Sequence, residues 1–210
     1  MIRTLLRGAC LVAALAFAFP AHAALKILAT TADWGALVTE LGGDKVNVYT
    51  ATTALQDVHS VDAKPSLVAR ARTADLLVAT GADLEIGWLP VLLQESGNAR
   101  IQPGSPGYFA AAATVKLIDV PASLDRSLGD IHAQGNPHLQ LDPRNIAAVA
   151  KVLSARLAAL DPVNASYYSA RGADFQARWQ AALARWTTAA APLKDVPVVV
   201  IHRDQAYLAR

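Results

Sequence analysis

The chain changes character at residues 136–143, whose sequence is NPHLQLDP. Asp142 suits the N-cap of a helix, and Pro143 suits the first helical turn, where its missing N–H is not needed. A proline precedes His138, so this histidine lies in a short loop that is restricted on both sides. A pre-organised metal ligand needs such a constraint. We therefore predict a boundary after residue 142, with a histidine held just before it.

On the N-terminal side of this boundary, segments typical of strands alternate with segments typical of helices. Strands are predicted from short apolar or β-branched runs, and helices from periodic segments with Gly or Pro near their ends. The predicted strands are Leu25–Thr30, Val46–Tyr49, Ala74–Gly81 and Val115–Val120, and the predicted helices are Trp34–Leu41, Lys64–Thr73 and Leu84–Glu95. This alternation predicts an α/β lobe over residues 24–142 with a mainly parallel sheet. Ligands of such sheets bind beyond the carboxyl ends of the strands.

The C-terminal side is predicted to be helical over residues 143–195. A first helix runs from the boundary to about Leu160, and a second Asp-Pro pair opens another that extends to about Ala190. Two series recur every seven positions along it, Tyr168/Phe175/Ala182 and Gly172/Trp179/Trp186. A helix of this length suits the link between two lobes. The run VPVVVI at residues 196–201 then predicts a buried strand, with His202 at its carboxyl end.

Residues 1–23 have the features of an export signal. Arg3 and Arg7 supply a positively charged start, residues 9–19 are apolar, and Ala21-His22-Ala23 is a small-residue cleavage site. The apolar run is shorter than the roughly 20 residues that a membrane-spanning helix needs. We therefore predict an exported chain whose mature form begins at Ala24.

Composition limits the chemistry of the mature chain. Removal of the signal would also remove Cys10, the only cysteine. A chain without cysteine has no disulfide, no thiolate metal ligand and no cysteine nucleophile. The signal holds two of the 19 Lys and Arg residues and none of the 17 Asp and Glu residues, so the mature formal net charge would be zero. A neutral chain has no general attraction for nucleic acid or anionic lipid.

Three histidines occupy places where ligands of an open α/β sheet are expected. His59 and His202 follow predicted strands, and His138 precedes a helix, so all three could border one cleft. Neutral imidazole suits zinc, which takes nitrogen and oxygen ligands in a tetrahedral arrangement. Their spacing matches no local zinc motif. Each histidine taken singly also fits an ordinary surface or half-buried position.

The remaining polar candidates have structural interpretations. His132 is interpreted as an ordinary loop residue, with an auxiliary metal-collecting role as the alternative. Asp142 and Glu85 are interpreted as helix caps, and Asp57 and Asp62 as solvated loop charges. The sequence contains neither an H-E-x-x-H helix nor a Gly-x-Ser-x-Gly elbow. Their absence argues against a zinc-dependent hydrolase, which is the main enzymatic alternative.

Four groups of residues, in this order, make a specific pattern. They are Val58-His59-Ser60 with Lys64-Pro65-Ser66, Ala74-Asp75-Leu76-Leu77-Val78 with Thr80-Gly81, Gly135-Asn136-Pro137-His138 with Leu141-Asp142-Pro143, and Val199-Val200-Ile201-His202 with Tyr207. The pattern resembles the periplasmic metal-binding receptors of ABC importers, the ZnuA/TroA-like solute-binding proteins that capture zinc or manganese. The resemblance extends from about Leu25 to Arg210.

The resemblance implies two α/β lobes joined by a long helix, with a metal held between them by three histidines and a carboxylate. Matched motif by motif, the histidines are His59, His138 and His202. Three imidazoles imply zinc, because manganese in similar receptors goes with a more carboxylate-rich site. A manganese receptor or an adhesin-like family member is the alternative. The implied partners are zinc, an ABC transporter permease and a periplasmic metallochaperone, and no enzymatic activity is implied.

Relatives in this family continue beyond the point that corresponds to Arg210. The resemblance therefore implies a C-terminally truncated chain in which residues 196–210 provide only the first strand of the second lobe. The fourth ligand would lie farther on. The long helix would expose an apolar face, and the last strand would have no partner.

Overall fold

The computed structural model of the protein describes residues 23–123, 132–200 and 202–210. Its sheet is formed by β1 (Leu25–Ala29), β2 (Val46–Thr50), β3 (Leu76–Ala79) and β4 (Tyr108–Ala110). The strands are all parallel, in the order β2, β1, β3, β4. The predicted parallel α/β fold is therefore confirmed. Apart from Ala23, the predicted export signal lies outside the described residues.

Five α-helices pack around this sheet in the described part of the chain. They are α1 (Ala32–Gly42), α2 (Pro65–Thr73), α3 (Leu89–Ser96), α4 (Pro143–Leu160) and α5 (Ala165–Ala190). Successive strand residues point to opposite faces, so the sheet has two cores. Ile27 and Val78 pack with α1, α4 and α5, whereas Leu28 and Leu77 pack with α2 and α3.

The fourth strand is not the predicted one at Val115–Val120. Its place is taken by β4, which continues from Gly107. The carbonyl oxygen of Gly107 accepts a hydrogen bond from the N–H of Leu77 (2.8 Å), and Phe109 fills the core at 2% exposure. The predicted run is irregular instead, and several of its apolar side chains pack against the core from there. Its β-like composition therefore reflects packing without sheet pairing.

Helices α4 and α5 follow the sequence prediction closely. Asp142 caps α4, because its carboxylate accepts a hydrogen bond from the backbone N–H of Arg144 (2.8 Å). The 26 residues of α5 span about 39 Å at 1.5 Å per residue. The predicted series Tyr168, Phe175 and Ala182 is buried, whereas Trp186 of the second series is 45% exposed. No helix among the described residues has the length and apolarity that crossing a membrane requires.

Residues 196–200, described up to the gap at residue 201, do not form the predicted strand. The run is exposed, with Val198 at 75% and Val199 at 97%. The sheet of the described residues consists of β1 to β4. A strand is stabilised by pairing with a neighbour, so this apolar run has no ladder to join and stays irregular.

Candidate metal centre

His59 lies in the loop that follows β2. The indole Nε1 of Trp88 donates a hydrogen bond to the carbonyl oxygen of Val58 (2.8 Å), which fixes the loop against the start of α3. Asp57 Oδ1 accepts a hydrogen bond from the backbone N–H of His59 (2.9 Å) and lies 2.9 Å from His59 Nδ1. These contacts with the backbone and then the ring of His59 lower the pKa of Asp57. Asp57 is therefore more than a solvated loop charge, because it orients the imidazole and leaves Nε2 for a ligand.

His138 lies at the N-cap of a short 3-10 helix, Leu139–Leu141, immediately before α4. The side-chain oxygen of Asn136 accepts a hydrogen bond from the backbone N–H of His138 (3.0 Å). Only 8% of His138 is exposed. Burial, together with repulsion from the imidazoles of His202 and His59, lowers the pKa of His138 from 6.5 to about 4. At neutral pH the ring is therefore uncharged, which is the form that binds a metal.

His202 is brought to His138 by hydrogen bonds between residues 203–207 and the loop before α4. The side-chain amide of Asn136 donates to the carbonyl oxygen of Arg203 (2.8 Å). The hydroxyl of Tyr207, which is 1% exposed, donates to the carbonyl oxygen of Asn136 (2.9 Å). As a result, the ring centroids of His202 and His138 are 4.9 Å apart.

His132 also lies beside this group, a proximity that its interpretation as an ordinary loop residue missed. Its ring centroid is 5.5 Å from that of His59 and 6.3 Å from that of His138. The chain turns back between the two loop histidines at Gly135, whose N–H donates to the carbonyl oxygen of His132 (3.0 Å). Gly135 has a φ of 116°, which favours glycine. That glycine, three residues before His138, was the sequence signal for the turn.

The four imidazoles border one small region. The ring of His59 lies 5.8 Å from that of His138 and 6.3 Å from that of His202. One donor nitrogen from each of His59, His132 and His138 lies within 4.8 Å of the other two. Nitrogens bound to one zinc ion would be about 3.4 Å apart, so modest side-chain rotations would place all three on an ion. In the described part of the chain, buried Nε2 of His59 and of His138 has no hydrogen-bond partner, as suits a metal-binding atom.

Two carboxylates that the sequence places near the histidines have structural roles. Asp142 caps α4 as predicted. Glu85, only 2% exposed, does not cap a helix: it accepts hydrogen bonds from the hydroxyl of Thr30 (2.6 Å) and from the backbone N–H groups of Thr80 (2.8 Å) and Gly81 (3.0 Å). Glu85 thereby joins the carboxyl ends of β1 and β3. Among the described residues, no carboxylate belongs to the cluster of potential metal-binding side chains.

Sequence comparison relates the chain to metal-binding components of ABC transporters. The family model of ZnuA, the periplasmic zinc-uptake complex component A, matches residues 27–210. The chain is 26% identical over 154 residues to the manganese ABC transporter substrate-binding lipoprotein PsaA of Streptococcus anginosus, covering 72% of this chain and 47% of the relative. It is 27% identical over 147 residues to the metal ABC transporter substrate-binding lipoprotein SloC of Streptococcus mutans, covering 69% and 45%. The chain thus spans about half the length of these relatives.

Solved structures show the same fold. A zinc-bound deletion mutant of ZnuA has a TM-score of 0.73 at 24% identity, covering 89% of this chain and 66% of that one. A cadmium-bound periplasmic metal-binding protein of Candidatus Liberibacter asiaticus has a TM-score of 0.69 at 20% identity, covering 87% and 64%. Because the family model matches nearly all of the described residues, from the first strand onward, the chain belongs to the ZnuA family of periplasmic zinc-uptake components.

Proposed function

We propose that this chain is a metal-binding receptor of an ABC importer, which captures zinc in the periplasm and delivers it to a membrane permease. The convergence of His59, His138 and His202 carries the proposal, since these residues come from three distant parts of the sequence. We propose these three histidines as ligands of the transported ion. Capture and release require no catalysis.

The donor chemistry favours zinc over manganese. Imidazole nitrogen suits zinc, whereas manganese is better matched by carboxylate, carbonyl and water oxygens. The lowered pKa of His138 keeps that donor uncharged at neutral pH. Manganese is the second candidate, because PsaA of Streptococcus anginosus is a manganese protein by name.

Metal titration of the purified protein tests the proposal. Zinc and manganese are titrated separately into the unchanged protein and into the His59→Ala, His138→Ala and His202→Ala variants, with the exposed α3 residue Gln94→Ala as the control. We expect zinc to bind more tightly than manganese. Each histidine variant should lose zinc affinity by roughly tenfold or more, since even groups that only orient a ligand contribute 10–100-fold.

Two outcomes would contradict parts of this proposal. Unchanged zinc affinity in all three histidine variants would overturn the ligand set. Tighter binding of manganese than of zinc would assign the chain to manganese instead. Delivery to a permease is tested separately, by measuring whether cells that lack the protein take up less zinc when zinc is scarce.

A further inference from the structure

We propose that His132 is a further ligand of this site, so that the ion is held by four imidazole nitrogens supplied by this chain. The inference rests on the proposed function, and it extends the ligand set of His59, His138 and His202. Its basis is that the ring of His132 lies closer to that of His59 than the ring of His202 does, with centroid distances of 5.5 Å and 6.3 Å.

The placement of His132 follows from contacts on its C-terminal side. The turn at Gly135 directs the chain from His132 back towards His138. The side-chain amide of Gln134 donates a hydrogen bond to Asp83 Oδ1 (3.2 Å), in the segment that follows β3. The loop is therefore attached to the carboxyl-terminal edge of the sheet, the same edge that presents His59. The turn at Gly135 and the contact between Gln134 and Asp83 together place His132 beside the other rings.

The distances also favour His132 over a carboxylate as the additional donor. In the described part of the chain, the three side chains whose donor atoms lie within 4.8 Å of one another are His59, His132 and His138. Asp57 accepts hydrogen bonds from His59, and Asp142 accepts them from Arg144. His202 lies outside that group of three, but its ring centroid is 4.9 Å from that of His138, so its imidazole would supply the fourth nitrogen.

Four neutral ligands leave the full charge of a divalent cation uncompensated within the first shell. Two nearby carboxylates would offset part of it. Asp57 lies 2.9 Å from Nδ1 of His59. The carboxylate of Asp204 lies 3.8 Å from Nδ1 of His202, which accepts a hydrogen bond from the backbone N–H of Asp204 (3.1 Å). A carboxylate in the position of Asp57 raises the basicity of a bound imidazole and fixes its orientation. An all-imidazole site with outer carboxylates selects borderline cations such as zinc against manganese and magnesium.

X-ray absorption of the zinc-loaded protein tests the inference, because it counts the imidazoles around the ion directly. The unchanged protein is compared with His132→Ala and His132→Gln, and with Ala133→Ser as a control that alters an exposed position of the same loop and removes no imidazole. We expect four imidazoles in the unchanged protein and in the control, and three in both His132 variants. Zinc affinity should fall by roughly tenfold or more in the His132 variants and should be unchanged in the control.

The same imidazole count and the same affinity in His132→Ala and in the unchanged protein would overturn the inference. The proposed function would then stand, provided that His59→Ala and His138→Ala still weaken zinc binding. If those two variants bind zinc as the unchanged protein does, the proposed function fails and the inference fails with it. A fall in affinity for Ala133→Ser equal to that for His132→Ala would also overturn it, since loop placement would then explain the loss.

Discussion

The hydroxyl of Tyr207 donates a hydrogen bond to the carbonyl oxygen of Asn136 at 2.9 Å, across 71 positions of sequence. The same hydroxyl lies 3.3 Å from the N–H of Ile118, which donates to it. One buried phenol thus joins the segment that carries His202 to the loop that carries His138. The spacing of these two imidazoles depends on a residue that is not itself a candidate ligand.

Tyr207→Phe should weaken both the fold and zinc binding. Removal of the hydroxyl leaves a buried acceptor and a donor unsatisfied, which should reduce the free energy of unfolding by about 1–3 kcal/mol. Zinc affinity should fall because His202 is no longer held beside His138. Urea denaturation and zinc titration measure the two effects. Tyr167→Phe, on the first turn of α5, is the control and should leave zinc affinity unchanged; an equal loss of affinity in the control would contradict the positioning role.

Asp57→Ala should lower zinc affinity by roughly 10–100-fold, the range measured for groups that orient metal-binding histidines. Its Oδ1 accepts a hydrogen bond from the backbone N–H of His59 (2.9 Å) and lies 2.9 Å from the ring Nδ1. Asp57→Asn keeps an acceptor oxygen and should therefore lose less affinity than Asp57→Ala. Asp62→Ala removes an exposed carboxylate from the same loop and serves as the control. Equal affinities of Asp57→Ala and Asp62→Ala for zinc would rule out the orienting role.

Glu85→Gln should destabilise the protein by about 1.5–3 kcal/mol, the contribution of hydrogen bonds to a charged group. The buried carboxylate accepts three hydrogen bonds through its two oxygens. In the glutamine variant one oxygen is replaced by an NH₂ group, which cannot accept and would face a hydrogen-bond donor. Urea denaturation measures the change. Glu95→Gln replaces an exposed carboxylate on α3, and its free energy of unfolding should match that of the unchanged protein. If the free energy of unfolding of Glu85→Gln also matched that of the unchanged protein, the hydrogen bonds to Glu85 would not stabilise the fold.

The metal-free protein should lose stability as the pH falls from about 6.5 to 4. His138 has a pKa of about 4 in the folded chain against an ordinary value of 6.5. Between these two pH values the unfolded chain binds a proton at His138 that the folded chain does not bind. The folded state therefore has its full stability from this group above pH 6.5 and loses it as the pH falls towards 4. Urea denaturation with a chelator present, over this pH range, measures the effect. His138→Asn should have a flatter profile, and profiles of equal slope would contradict the assignment.

The sequence predicted the long helices and the strands β1 to β3 well, but it missed the three-residue strand β4. α4 has the predicted bounds because Asp142 and Pro143 fix its start and an apolar period continues over its whole length. β4 has three residues, too few for a period of two to be recognised, and it forms by pairing in parallel with Leu77–Ala79 of β3. Such a strand exists only because a neighbouring strand has a free edge.

The candidate site, too, has features that the sequence predicted and features that it did not. In the sequence, His138 stands out because Pro137 and the helix cap at Asp142 mark its loop, and His59 because it follows a predicted strand. The proximity of His132 depends on the turn at Gly135 and on the contact between Gln134 and Asp83, and the second of these joins residues 51 positions apart. Contacts of that separation leave no local pattern. The run at residues 196–200 has a strand composition, but composition does not supply a partner strand.

The histidines of the proposed site connect parts of the chain that the sheet does not. An ion bound to His59, His138 and His202 would act as a reversible cross-link, closing two long loops that include most of the described residues. Cross-links over long loops restrict the unfolded ensemble most. The cargo would therefore also couple the segment after α5 to the sheet. Loading and unloading would change how much of the molecule unfolds as one cooperative unit.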